Sequence, residues 1–117
     1  MTQTERRIYL IKELLAEQPK YRNLPVPADA AEQKRLLRSL MNVRFPQAAS
    51  ENFLTAQDEY LREELAQKGV TELSSLTPVS EGIYLWQGDI TTLRCDAIVN
   101  AANSGMTGCY VPLPRLH

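Results

Sequence analysis

The sequence predicts an α/β fold in which a helical extension leads into the first strands of a sheet. Apolar residues recur at helical spacing through roughly the first half of the chain. From Gly82 onward the texture changes to short runs of β-branched and aromatic residues bounded by glycine, the composition of strands. Between two of these runs stands an aspartate-led helical turn rather than a two-residue hairpin, and strand, turn and strand in that order imply parallel pairing.

Taken in order, residues 4–18 place Ile8, Ile11, Leu14 and Leu15 on one face of a first helix, with Thr4 as its N-cap and Pro19 as its stop. Residues 21–27 hold two prolines, which fix φ and remove a donor, so an extended connector is expected there, before a second helix capped by Asp29. Leu36, Leu37, Leu40, Met41 and Val43 form the apolar stripe of that helix, which ends near Phe45-Pro46. A third helix fits residues 50–68, carries Leu54, Leu61 and Leu65, and closes at Gly69, where a left-handed C-cap suits glycine. Residues 70–78 read as a loop. A strand is expected at residues 83–87, a helical turn at 90–93 capped by Asp89, and a second strand at 95–101.

At 117 residues the chain has the size of one ordinary domain or of part of a larger one. Thirteen Lys and Arg against fourteen Asp and Glu leave a net charge of -1, so no global basic field draws nucleic acid or anionic lipid, and an anionic ligand must be held locally. No apolar run approaches the roughly 20 residues that span a bilayer, and the first residues lack the cleavage-like end of an export signal. A cytoplasmic protein is expected, with neither nucleic acid nor membrane as partner. Two cysteines, Cys95 and Cys109, are too few for a disulfide scaffold and read as core filler or metal ligand.

The chemistry concentrates in residues 87–104. Asp96-Ala97-Ile98-Val99-Asn100-Ala101-Ala102-Asn103 is an apolar run that ends in two carboxamides, and ligands of open α/β sheets bind outside the carboxyl ends of the strands. A carboxamide in a strand rich in Ile, Val and Ala needs hydrogen-bond partners once buried. Asn100 and Asn103 are therefore candidate binding groups, with ordering of the strand-to-loop turn assigned mainly to Asn100. On spacing alone Asp89 is a helix cap, and Cys95 at the strand entry is a small buried hydrophobe.

Gly88-Asp89-Ile90-Thr91, followed by the run from Asp96 to Asn103, closely resembles the signature of the macrodomain family of ADP-ribose-binding modules, a three-layer α/β/α fold. The resemblance covers residues 82–113. It implies that Asp89 takes the adenine amino group, a task suited to a carboxylate because it accepts hydrogen bonds only, and that the amide of Ile90 supports recognition of the ring. It further implies that Asn100 and Ala101 contact the ligand, with small alanines letting a ribose approach the backbone, and that Asn103 holds the distal ribose beside the bond to be cleaved. It divides the chain into a helical extension, residues 1–69, and the start of a macrodomain, residues 70–117.

Gly108-Cys109-Tyr110-Val111-Pro112 resembles the zinc-containing branch of the family and so implies zinc as cofactor, with Cys109 as a ligand. Thiolate and imidazole are donors that zinc favours, and three protein ligands with an open fourth position mark a catalytic site. The sequence departs from that branch at Pro114, where a ligand histidine usually stands. His117 is the remaining candidate ligand, and as a terminal residue it equally suits a side chain that nothing holds. A one-base frame change after about Leu113 would produce this ending from a Pro-Leu-His-Arg-Cys-Ile-like segment, so a truncated product is expected, lacking later strands, the diphosphate loop and the remaining metal ligand. The function implied for the complete protein is zinc-dependent removal of ADP-ribose from modified protein side chains, opposing an operon-linked ADP-ribosyltransferase. The alternatives are an ADP-ribose-binding module without catalysis and an inactive truncated product.

Overall fold

The computed structural model of the chain describes residues 1–106. These form three α-helices, α1 (Gln3–Glu17), α2 (Ala30–Val43) and α3 (Glu51–Lys68), and two single 3-10 turns at Leu73–Ser75 and Ile90–Thr92. They fall into two compact units, one of Met1–Tyr60 with the described residues from Ala102 onward, the other of Leu61–Ala101.

The helix ends follow from local hydrogen bonding. α1 is capped by Thr2 rather than Thr4. The Thr2 hydroxyl accepts from the Glu5 amide at 3.1 Å while the Glu5 carboxylate accepts from the Thr2 amide at 2.7 Å. This reciprocal box needs an acid three residues after the cap; Thr2 has Glu5 there, whereas Thr4 has Arg7. Asp29 caps α2, accepting from the Glu32 amide at 3.0 Å, and the Ser50 hydroxyl accepts from the Phe53 amide at 3.1 Å at the start of α3. α3 closes as expected on Gly69, whose φ of 85° lies in the left-handed region and whose amide donates to the Leu65 carbonyl at 2.9 Å.

The core of the first unit joins Leu10, Ile11, Leu14 and Leu15 of α1, Leu37 and Leu40 of α2, and Phe53, Ala56 and Tyr60 of α3. α3 therefore buries a different face from the leucine stripe that its sequence suggests: Leu54 and Leu61 are 45% and 49% exposed. Two aromatic rings remove more apolar surface from water than leucines do, and the helix turns them inward. Polar ties border this core. Buried Arg7 donates from Nε to Gln33 Oε1 at 2.9 Å, and Gln33 donates to the Pro27 carbonyl at 2.7 Å, linking α1, α2 and the proline-containing connector. Arg44 forks onto Glu17 at 2.9 and 3.0 Å.

In the second unit no residue is buried. Its backbone contacts are an isolated parallel bridge between Thr71 and Leu93 and an antiparallel one between Ser80 and Ile83. Neither expected strand, at 83–87 or 95–101, is formed among the described residues. Propensity proposes a strand, but a ladder partner makes one. Residues 95–102 exchange no backbone hydrogen bond with another described residue, and Ile98 and Val99 are 54% and 99% exposed. Among the described residues no helix is long and apolar enough to cross a membrane.

Amide hydrogen exchange is expected to be slowest along the buried face of α1 and fast across residues 95–102. Protection of 95–102 matching that of α1 would contradict this arrangement.

Candidate functional site

The Gly-Asp-Ile-Thr segment is a tight turn organised by Asp89. Asp89 holds extended backbone, φ −77° and ψ 112°, as the N-cap of Ile90–Thr92. Its Oδ1 accepts from the Thr91 amide at 3.0 Å and the Thr91 hydroxyl at 2.7 Å. In return the Thr92 hydroxyl and amide donate to the Asp89 carbonyl at 2.6 and 2.9 Å. The short side chain of aspartate reaches the amide two residues on, which is why this residue type closes such turns. Oδ2 faces Lys68 Nζ, the last residue of α3, at 3.5 Å, and both side chains are about half exposed.

The Thr91 hydroxyl, then the Thr91 amide, hold the Asp89 carboxyl below its ordinary range, and Lys68 acts in the same direction. Asp89 is therefore ionised at neutral pH and presents oxygens that accept only. A carboxyl lowered in the folded state stabilises the turn above its unfolded pKa, and that contribution is lost as the pH falls through the folded one.

Both flanks of the turn are anchored. On the downstream side, Thr71 accepts from the Arg94 amide at 2.9 Å and donates to the Thr92 carbonyl at 2.8 Å, while Arg94 Nε pairs with Glu72 at 2.6 Å. On the upstream side the Trp86 ring lies against Gly88: a Cβ at Gly88 would clash with ring atom Cζ2 and stand 2.7 Å from Cη2. Trp86, Gly88 and Ile90, with Leu73, Leu76 and Tyr84, line a cavity of about 470 Å³ flanking Asp89. Another cavity, of about 510 Å³, lies in the first unit between the connector and α2 and is lined by none of the motif residues.

Ile90 is 49% exposed. Asn100 and Ala101 are exposed, so the burial that would make a carboxamide costly at Asn100 is not present. Asn103 belongs to the first unit, where its carbonyl accepts from the Met106 amide at 3.0 Å. Cys95, expected in the core, is exposed because the strand that would bury it is not formed. Cys109 and His117 lie outside the described residues. Among the described residues no group of three or more His, Cys, Asp and Glu could hold a metal ion. Lys68 and Trp86 carry no sequence signal of a role: Lys68 meets Asp89 across 21 positions, and Trp86 reads as an ordinary strand residue.

The chain is a homologue of proteins named for hydrolysis of protein-bound ADP-ribose. The protein-ADP-ribose hydrolase of Treponema medium is 59% identical over 116 residues, covering 96% of this chain and 44% of that protein. The protein-ADP-ribose hydrolase of Staphylococcus aureus strain MRSA252 is 42% identical over 102 residues, covering 86% and 38%. A probable bifunctional ADP-ribose hydrolase/ADP-ribosyltransferase of Fusarium oxysporum f. sp. cubense is 38% identical over 98 residues, covering 74% and 16%. The chain thus spans less than half the length of these relatives. A match over 96% of the chain necessarily takes in the Asp89 turn and Asn103. No protein-family model matches the chain.

Thr91→Val removes one donor to Asp89 Oδ1 and leaves the other. The Asp89 titration midpoint, followed by carboxyl-carbon NMR, is expected to rise toward that of an unperturbed aspartate. An unchanged midpoint would show that the hydroxyl is not what holds the carboxyl ionised.

Proposed function

We infer that this sequence, within a protein of the length of its relatives, holds ADP-ribose at the Asp89 turn and serves its removal from modified protein side chains. The observation that carries this reading is the Asp89 carboxylate, pinned through Oδ1 by Thr91 and about half exposed. An ionised acceptor of fixed direction suits an exocyclic amine, and the relatives named protein-ADP-ribose hydrolase point to a nucleotide that carries one.

In this reading the Ile90 amide supports the ring, Asn100 and Ala101 border the ribose, and Asn103 orients the distal ribose so that water replaces the protein side chain at its anomeric carbon. Residues 1–69 are then a helical extension and residues 70–117 the beginning of a macrodomain. The opposing partner is an ADP-ribosyltransferase, and the Fusarium relative's name joins the two activities in one protein. Zinc enters through Cys109 and His117, which supply two donors of the kind the metal favours but fewer than the three of a catalytic site.

In a chain of the relatives' length, Asp89→Ala is expected to weaken ADP-ribose binding measured by calorimetry, because an acceptor for the amine is lost inside the complex. Asn103→Ala should lower turnover of an ADP-ribosylated protein more than binding. Wild-type affinity in a folded Asp89→Ala protein would remove Asp89 from the site, and binding without turnover in the unsubstituted protein would identify a binding module instead.

Elemental analysis of the 117-residue chain is expected to find substoichiometric zinc that Cys109→Ser lowers further. One tightly held zinc surviving Cys109→Ser would assign the metal to other donors.

A further inference from the structure

We propose that Trp86 is a positioning residue for Asp89, its indole ring packed on Gly88 so as to fix the backbone that aims the carboxylate. The functional weight of this role rests on the reading of Asp89 as the binding group. Glycine has the widest backbone freedom of any residue. Standing directly before a binding group, it leaves the direction of that group unset unless something else limits it.

Downstream of Asp89 the limits are hydrogen bonds: those of Thr91 and Thr92 to Asp89, and the Thr71 contacts beyond them. Upstream there are none, because residues 84–88 make no backbone hydrogen bond among the described residues. What stands there is the indole. It leaves no room for a methyl at Gly88, placing Cη2 2.7 Å from where one would be. Trp86 is half-buried while Leu85 and Gln87 on either side are exposed, and its ring shares a cavity wall with Leu73 and Leu76. A half-buried aromatic plane standing against Gly88 restricts its backbone without using a hydrogen bond.

Trp86 is the one tryptophan of the chain, so its emission and near-ultraviolet circular dichroism report this contact without a label. In the 117-residue chain, Gly88→Ala is expected to shift the emission to the red as the ring is displaced. It should also raise the Asp89 titration midpoint, read by carboxyl-carbon NMR, as the Thr91 bonds loosen. Trp86→Ala should raise the midpoint likewise, and Trp86→Phe, which keeps a ring, should leave it low. Adding Gly88→Ala to Trp86→Ala should bring the midpoint part of the way back down, because the ring that the methyl would strike is gone and alanine narrows the backbone freedom that the ring had limited. In the longer protein, Trp86→Ala is expected to weaken ADP-ribose binding by about tenfold, the factor equivalent to about 1.4 kcal/mol. An unchanged Asp89 midpoint in Trp86→Ala, or effects of Gly88→Ala and Trp86→Ala that simply add, would overturn the proposal. Failure of the unsubstituted longer protein to bind ADP-ribose would instead remove the nucleotide role of Asp89, while the titrations still decide the role of Trp86.

Discussion

One face of α1 is the constraint on which the first unit depends. Leu10, Ile11, Leu14 and Leu15 retain 4% exposure or less, and adjacent pairs one turn apart give the helix a face wide enough for two neighbours. α2 answers with Leu37 and Leu40, α3 with Phe53, Ala56 and Tyr60. A 15-residue helix is marginal in water by itself, whereas burying each such side chain contributes about 1.5 to 3 kcal/mol. Helix and core therefore form together. The border contacts have a different task. Arg6 with Glu59 is exposed enough to contribute little energy, but with the Arg44 fork on Glu17 and the Arg7 contact to Gln33 it sets the register in which the apolar faces meet.

Residues 61–101 obey another rule. With no buried side chain among them, their arrangement comes from a few directional contacts: the Gly69 cap, the Thr71 bridge, the Glu72 pair with Arg94 and the Asp89 turn. Such contacts specify geometry more than they supply stability, because each exchanges bonds with water for bonds within the chain. Binding elements are drawn from the less stable parts of proteins, where adjustment to a ligand costs little. The Asp89 turn combines that economy of burial with a carboxylate whose own neighbours keep it charged.

What the sequence made legible was local. Asp29 and Gly69 bound their helices as the sequence suggests, because a cap depends on residues three or four apart. Thr2 rather than the expected Thr4 caps α1 because the acid that completes the box, Glu5, stands three places after Thr2 and only one after Thr4. The buried face of α3 was hidden by its leucines, since periodicity alone does not rank Phe53 and Tyr60 above Leu54 and Leu61. The apolar run 95–101 has the composition of a strand, but composition does not name the partner that a ladder needs. Asp89 was readable as a cap, and the ADP-ribose theme of its motif agrees with the names of the homologous hydrolases. The approach of Lys68 to Asp89 depends on how a segment 21 positions away folds back, which no local pattern encodes, and the packing of Trp86 on Gly88, though only two positions apart, depends on a ring orientation that composition does not give.

The parallel contact of Thr71 with Leu93 also closes a loop. The entropy of closing a flexible loop grows with the logarithm of its length, so that doubling it costs only about 0.6 kcal/mol. Residues 77–82 are exposed throughout, and added chain there lengthens the loop without entering the Asp89 turn. An insertion between Gly88 and Leu93 would instead break the two- and three-residue spacing on which the Thr91 and Thr92 contacts rely. Length variation among homologues, or a grafted label, is thus accommodated on one side of Trp86 and forbidden on the other.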